Sequence, residues 1–415
     1  MISINSNMQD LDIKIRGKTF YIFLENKIIS LDSIIPFALE INNKCGVRFV
    51  FVVFDKVTYD AIVEDNITLY DAIKSIGNVE YILGFKKQSK FFKRLSLIFR
   101  MARISYQVSY KDGYVLDFGG LNVKPLVFIR WLFPSKRRIL CESSSSGRVI
   151  PDDIVKKGDI VTNTLSNIYH YRTNDMDCFK EKDKYFPLNA AILLGFHKSW
   201  NYFKHKDAYK TKQILFSDSR NAPAWVGFIS QNFDSYINHE LNILNSSSKY
   251  IISIVIGRLK YDTELTKLHR NAFRETLISL AECSKDFPVF IKPKVYDDMG
   301  KLKKLINEVN EEFGLNYILT KLHPLVLARR SIMSVFVSKT RVINDFYISG
   351  VPIVQNLIGF SGDYLDRNTS PLADHVVTGS NKNFEKVVQE IIDNKNNVPN
   401  TPKKIESNLD CDVFL

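Results

Sequence analysis

A repeated alternation constrains this chain more than anything else in it. Short β-branched or aromatic runs are followed by longer stretches with apolar residues at helical spacing. In the first half the runs fall at residues 19–24, 48–54, 80–83, 114–118 and 138–141. Several are almost continuously apolar, as strands covered on both faces must be. Between them lie helical patterns such as 31–41, where Ile34, Ile35, Ala38 and Leu39 share one face. Strands separated by amphipathic helices pair in parallel, because each helix returns the chain to the same end of the sheet. The expectation is an α/β fold built on doubly wound parallel sheets.

A second series follows the Asn-Ser-Ser-Ser break at 245–248. Its expected strands are 250–256, 289–293, 317–322, 334–338 and 352–355, with helices at 265–283, 299–313, 324–330 and 341–349 and a late helix at 384–393. At 415 residues the chain exceeds one ordinary core, so two domains are expected. The reading is an N-terminal Rossmann-like domain over 1–245, a second over 246–395, and a loose Asn- and Pro-rich tail over 396–415. Residues 150–222 show less pattern and are assigned to the end of the first domain.

No stretch approaches the ~20 apolar residues of a membrane span, and the first twelve residues hold no apolar leader. Five cysteines, odd in number and far apart, fit neither a zinc site nor a disulfide framework. A cytoplasmic protein is expected. Charge is uneven. Residues 86–138 hold thirteen Lys and Arg against two acids, Asp112 and Asp117, a net +11 out of +12 for the chain. So local a basic excess implies an anionic partner: a membrane, a nucleic acid or a polyanionic acceptor. Residues 85–103 read as a basic amphipathic helix, with Phe91, Leu95, Ile98, Phe99 and Ala102 on one arc. Such a surface can lie on anionic lipid, on the inner face of a membrane, or simply cover a core.

The most informative segment runs from 335 to 354. An apolar strand ends in Ser338-Lys339-Thr340 and a helix is expected to follow at once. Ser338 or Thr340 can cap that helix, whose free N–H groups favour an anion, and Lys339 adds charge at the same place. Asp345 lies one turn further in, where a carboxylate can accept hydrogen bonds from sugar hydroxyls. Gly350 ends the helix and Val351-Pro352 opens the next strand. A phosphate at a helix start with a ribose beside an acid is a nucleotide-diphosphate geometry.

This arrangement resembles the nucleotide-sugar half of GT-B-fold glycosyltransferases, where a Ser-rich turn precedes a helix bearing an acid and then Gly-x-Pro. More narrowly it is similar to bacterial capsule and teichoic-acid transferases: capsular Kdo transferases, polysialyltransferases and glycerophosphotransferases. The resemblance implies two Rossmann-like domains facing across a cleft. It covers roughly residues 250–356. Those families carry a Lys-Pro-His-Pro-like turn after an earlier strand; here Ile291-Lys292-Pro293-Lys294 stands in its place, with Lys294 where the family has histidine. Lys292 and Lys294 are candidate phosphate ligands, or solvated lysines at a strand end. His323, in Leu322-His323-Pro324, is a candidate contact to the base or a structural histidine.

Sugar transfer needs a base for the acceptor proton and cations for the departing phosphate. In the resembled families the base is a first-domain carboxylate in a Glu-Asp-Gly stretch followed by Arg. Residues 138–148 match this in part: a strand, Glu142, then a Ser- and Gly-rich turn ending in Arg148. Glu142 is the first candidate and Asp117, in Leu116-Asp117-Phe118-Gly119-Gly120, the second. Arg220, in the turn 218–225, could bind an anion at a cleft, with Trp225 beside it or in the core. No metal spacing is found among the histidines, so a metal-independent mechanism is expected, with the nucleotide-sugar donor as substrate and no resident cofactor.

Three function classes follow. One is a glycosyltransferase building a surface polysaccharide or lipid-linked glycan. Another is a different enzyme on the same fold, a nucleotide-sugar epimerase or a polyol-phosphate transferase. Against these, the paired glutamates of such epimerases and the His-Gly of polyol-phosphate transferases are both missing. A nucleic-acid-binding protein is the third, although no recognised motif supports it.

Overall fold

The structure is a computed structural model. It describes residues 17–24, 31–64, 66–82, 90–111, 113–117, 133–134, 137–141, 192–195, 212–215, 219–243, 248, 250–257, 263–283, 286–294 and 298–394. Backbone contacts divide the chain into two compact units between Trp225 and Val226. The expected tail at 396–415 lies outside the described residues.

The first unit is built on seven parallel strands. They are β1 (Thr19–Leu24), β2 (Arg48–Val53), β3 (Gly77–Tyr81), β4 (Tyr114–Asp117), β5 (Arg138–Cys141), β6 (Ile192–Gly195) and β7 (Lys212–Leu215). Their order is β3-β2-β1-β4-β5-β6-β7. Its helices are α1 (Leu31–Cys45), α2 (Lys56–Val63), α3 (Ile67–Ile76) and α4 (Lys90–Tyr110). Side chains cap two of them: Asp55 accepts from the Thr58 N–H at 2.7 Å and Asn66 from Leu69 at 3.2 Å. Tyr21, Phe23, Val52 and Ile82 on one face of the sheet pack under Met101, Ile104 and Val108 of α4. Cys45 is buried and disulfide-bonded, against the expectation from cysteine spacing. Pairing depends on distance in space, which spacing along the chain does not report.

Strand β3 starts three residues before the sequence pattern suggests. Gly77 ends α3 and opens the strand in a single step. A Cβ there would fall on the Phe49 carbonyl oxygen of β2, 2.7 Å from the carbonyl carbon. Glycine is what allows helix and strand to join this closely.

The second unit begins within α5 (Pro223–Ile243), earlier than the polar break at 245–248 suggests. The helix before it is tied to the second unit through Arg330, whose Nη2 meets Asp234 at 3.0 Å and Asn238 at 3.3 Å. Six parallel strands follow: β8 (Ile251–Val255), β9 (Val289–Lys292), β10 (Ile318–Leu319), β11 (Ser331–Phe336), β12 (Ile353–Asn356) and β13 (His375–Val377). The helices are α6 (Glu264–Cys283), α7 (Met299–Phe313), α8 (Pro324–Arg330), α9 (Ile343–Ile348), α10 (Gly362–Asn368) and α11 (Asn381–Asp393). Asp298 caps α7, and Gly314 closes it at φ 64°. One core joins Ile252, Ile254, Phe273, Leu277, Val335, Val354 and Phe384. Both sheets are doubly wound, so the expected fold class of two Rossmann-like units holds.

Candidate functional site

In the second unit the strand order is β10-β9-β8-β11-β12-β13. The direction of winding reverses between β8 and β11, and ligands of such sheets bind outside the carboxyl ends at that reversal. Gly257 follows β8 there, and Ser338 follows β11. The two are in contact. A Cβ on Gly257 would overlap the Ser338 hydroxyl and stand 3.3 Å from its Cβ. Sequence reasoning missed Gly257, although a glycine at the end of a largely apolar run is the signal for a close backbone approach.

Ser338 is 3% exposed and, among the described residues, nothing hydrogen-bonds to its hydroxyl. The other buried serines around this strand differ. Ser253 and Ser331 bond to each other at 2.7 Å, and Ser331 also reaches the Leu327 carbonyl at 2.8 Å. Ser334 donates to the Pro352 carbonyl at 3.3 Å and Ser349 to that of Asp345 at 2.7 Å. A buried hydroxyl without a partner is costly; among the described residues Ser338 shares that state with Thr58, Thr68 and Ser279, which lie within helices, whereas Ser338 stands at a strand end.

The expected cap is not formed. Helix α9 starts at Ile343, its N-cap residue is Val342, and no side chain caps it. Thr340 Oγ1 lies 3.5 Å from the Val342 N–H, too long for a cap. Residues 340–342 are instead spent in turns, their carbonyls accepting from Ile343, Asn344 and Asp345. With six residues, α9 has only a small dipole to offer an anion. Lys339 is exposed beside the turn. Asp345, on α9, is 0% exposed.

Lys294 is exposed after β9, but Lys292 has a structural contact: its Nζ donates to the Lys321 carbonyl at 3.0 Å and holds the loop after β10. His323 is also used by the fold. Its Nδ1 accepts from the Leu325 N–H at 3.2 Å, capping α8 ahead of Pro324. This leaves the imidazole 1% exposed. A histidine before a helix-starting proline carried that cap signal in the sequence.

In the first unit the winding reverses between β1 and β4, and Asp117 is the last residue of β4. Its position therefore corresponds to the carboxyl-end reversal, the place a first-unit carboxylate is expected. Glu142, just after β5, lies outside the described residues. Arg220 does not stand on an open surface. It is buried in a short 3-10 turn whose neighbours are anchored to α1. Ser219 Oγ donates to the Ser33 carbonyl at 2.8 Å, and the Ala224 N–H donates to Glu40 Oε2 at 2.9 Å. Trp225 is core. A separate cavity of 610 Å³ opens at the other, amino-terminal ends of β1–β3, between Arg48, Lys74, Glu80 and Arg103.

No protein-family model matches the chain, and no curated protein matches it in sequence. Among solved structures it is similar to the UDP-GlcNAc 2-epimerase of Neisseria meningitidis bound to UDP-GlcNAc. Identity is 11%, TM-score 0.49, and coverage 94% of this chain and 95% of that one. It is also similar to the UDP-GlcNAc 2-epimerase of Methanocaldococcus jannaschii, at 11% identity and TM-score 0.48, covering 93% and 94%. A third is Alr3699/HepE of Anabaena in complex with UDP-glucose, at 10% identity and TM-score 0.41, covering 92% and 91%. The fold assignment rests on the strand orders above.

Proposed function

We propose that this chain is a GT-B-type glycosyltransferase that moves a sugar from a nucleotide-activated donor to a surface-polysaccharide or lipid-linked glycan acceptor. The carrying observation is the unpartnered Ser338 hydroxyl held against Gly257 at the β8/β11 reversal. In this reading Ser338 donates to a donor phosphate, and the bare backbone of Gly257 lets that phosphate approach. Lys339 and Lys294, both exposed, supply positive charge to the departing nucleoside diphosphate. A first-unit carboxylate, Glu142 or else Asp117, takes the proton from the acceptor hydroxyl. The acceptor oxygen then bonds to the anomeric carbon as the bond from that carbon to the phosphate oxygen breaks, and the diphosphate leaves with the electron pair.

The test is a thermal-shift panel of UDP, CMP and GDP. A true ligand stabilises the folded chain by mass action, about 2.7 kcal/mol at a hundred times its Kd. One of the three should raise the melting temperature, and Lys294→Ala with Lys339→Ala should abolish the rise. No shift with any nucleotide, or a shift that survives the double change, removes this site. Interconversion of a nucleotide sugar without an acceptor would assign the chain to the epimerases of the same fold instead.

A further inference from the structure

Helix α4 has two apolar faces. Leu97, Met101, Ile104 and Val108 turn inward and pack on the sheet. On the opposite face Leu95, Ile98, Phe99, Ala102, Tyr106 and Tyr110 recur at spacings of three and four, and all are exposed. Ile98 is 62% exposed, Phe99 68% and Tyr110 78%. An outward row of this length is unusual, since exposed large apolar residues are normally scattered singly. The helix carries Lys90, Lys93, Arg94, Arg100 and Arg103 and no acid. Inward bonds fix its orientation: Arg100 Nη1 donates to the Tyr81 carbonyl at 2.8 Å, and Arg103 pairs with Glu80 at 2.7 Å.

We infer that this outward face of α4 docks on an anionic lipid bilayer. An uncharged apolar stripe on a helix whose charges are all positive is the pattern of a helix lying in a membrane interface. Tyrosines at one end suit the headgroup level, where aromatic rings with a polar tip settle. No described helix is long and apolar enough to cross the bilayer, so the contact is peripheral. Charge selects the occupant. A second copy would bring its own acid-free basic helix against this one, and like charges repel. Anionic headgroups attract it. None of the residues involved belongs to the nucleotide site, so this inference stands independently of the proposed function.

The experiment is cosedimentation of the full chain with phosphatidylcholine vesicles, with and without phosphatidylglycerol. Binding is expected only with phosphatidylglycerol, and it should weaken as salt rises to ~0.15 M, where screening shortens to ~8 Å. Ile98→Ser with Phe99→Ser should cut binding by roughly tenfold or more, because both side chains lose their apolar contact. As both are exposed, the variant should keep the parent's melting temperature and its mass by light scattering. Equal binding to neutral vesicles, no binding to either, or unchanged binding by the variant overturns the inference. A dimer that the double change splits would give the face to a second copy.

Discussion

Replacing Ser338 by alanine separates stability from binding. Most buried serines lose stability when truncated, because the partner of the hydroxyl is stranded. Ser331→Ala should behave so. It removes a group bonded to both Ser253 and the Leu327 carbonyl, at a cost of about 1–2 kcal/mol. Ser338 has no partner to strand, and an unsatisfied buried hydroxyl costs roughly 1–3 kcal/mol of desolvation. Removing it should leave the melting temperature unchanged or raise it, by roughly 2–4 °C for each kcal/mol recovered in a unit of this size. Nucleotide affinity should move the other way. A hydrogen bond to a charged group contributes about 1.5–3 kcal/mol, so Kd should rise about tenfold to a hundredfold.

Calorimetry of the apo chain gives the first quantity and isothermal titration with the stabilising nucleotide gives the second. Gly257→Ala adds an internal check. The new Cβ overlaps the hydroxyl, at an expected cost of about 1–3 kcal/mol. In the Ser338→Ala background the overlap is gone and only the 3.3 Å approach of the two Cβ positions remains. The pair should then couple by about 1 kcal/mol. If Ser338→Ala loses stability as Ser331→Ala does, or leaves nucleotide affinity untouched, the hydroxyl is ordinary packing and the site argument fails.

Three further outcomes are expected. Glu142→Gln should keep nucleotide binding while transfer falls by roughly 10²–10⁴, and near-normal turnover would pass the base role to Asp117. Gly77→Ala, with a Cβ placed on the Phe49 carbonyl, should cost about 3 kcal/mol in a urea melt, whereas Gly227→Ala, open on all sides within α5, should gain up to about 1 kcal/mol. His323→Ala should cost about 1 kcal/mol of melting stability through the lost α8 cap; lost nucleotide affinity at full stability would instead show a contact to the ligand.

Strands such as β1 and β2 were legible because burial on both faces writes a nearly continuous apolar run, whereas β6 and β13 were not among those expected. Whatever depends on one residue's use was not. Gly77-Asn78 has the composition of a turn, yet it begins a strand because β2 passes too close for a side chain. The arc of Leu95, Ile98 and Phe99 has helical spacing, but so has the arc of Leu97, Met101 and Ile104. Periodicity finds both faces of α4 without telling which one the sheet covers. Lys292, Lys294, His323 and Ser338 were legible as residue types at strand ends. The fold uses Lys292 to hold a carbonyl and His323 to cap a helix, and it leaves Ser338 without a partner. That last distinction carries the proposed site, and it comes from strand order. Local pattern places β8 and β11 far apart in the chain; only the non-local pairing of their registers puts Gly257 against Ser338. A reading of 335–354 alone expects a helix cap at this turn, and no side chain forms one. The proposed phosphate contact rests instead on the meeting of two strand ends, one stripped of its side chain and the other holding a hydroxyl with no partner among the described residues.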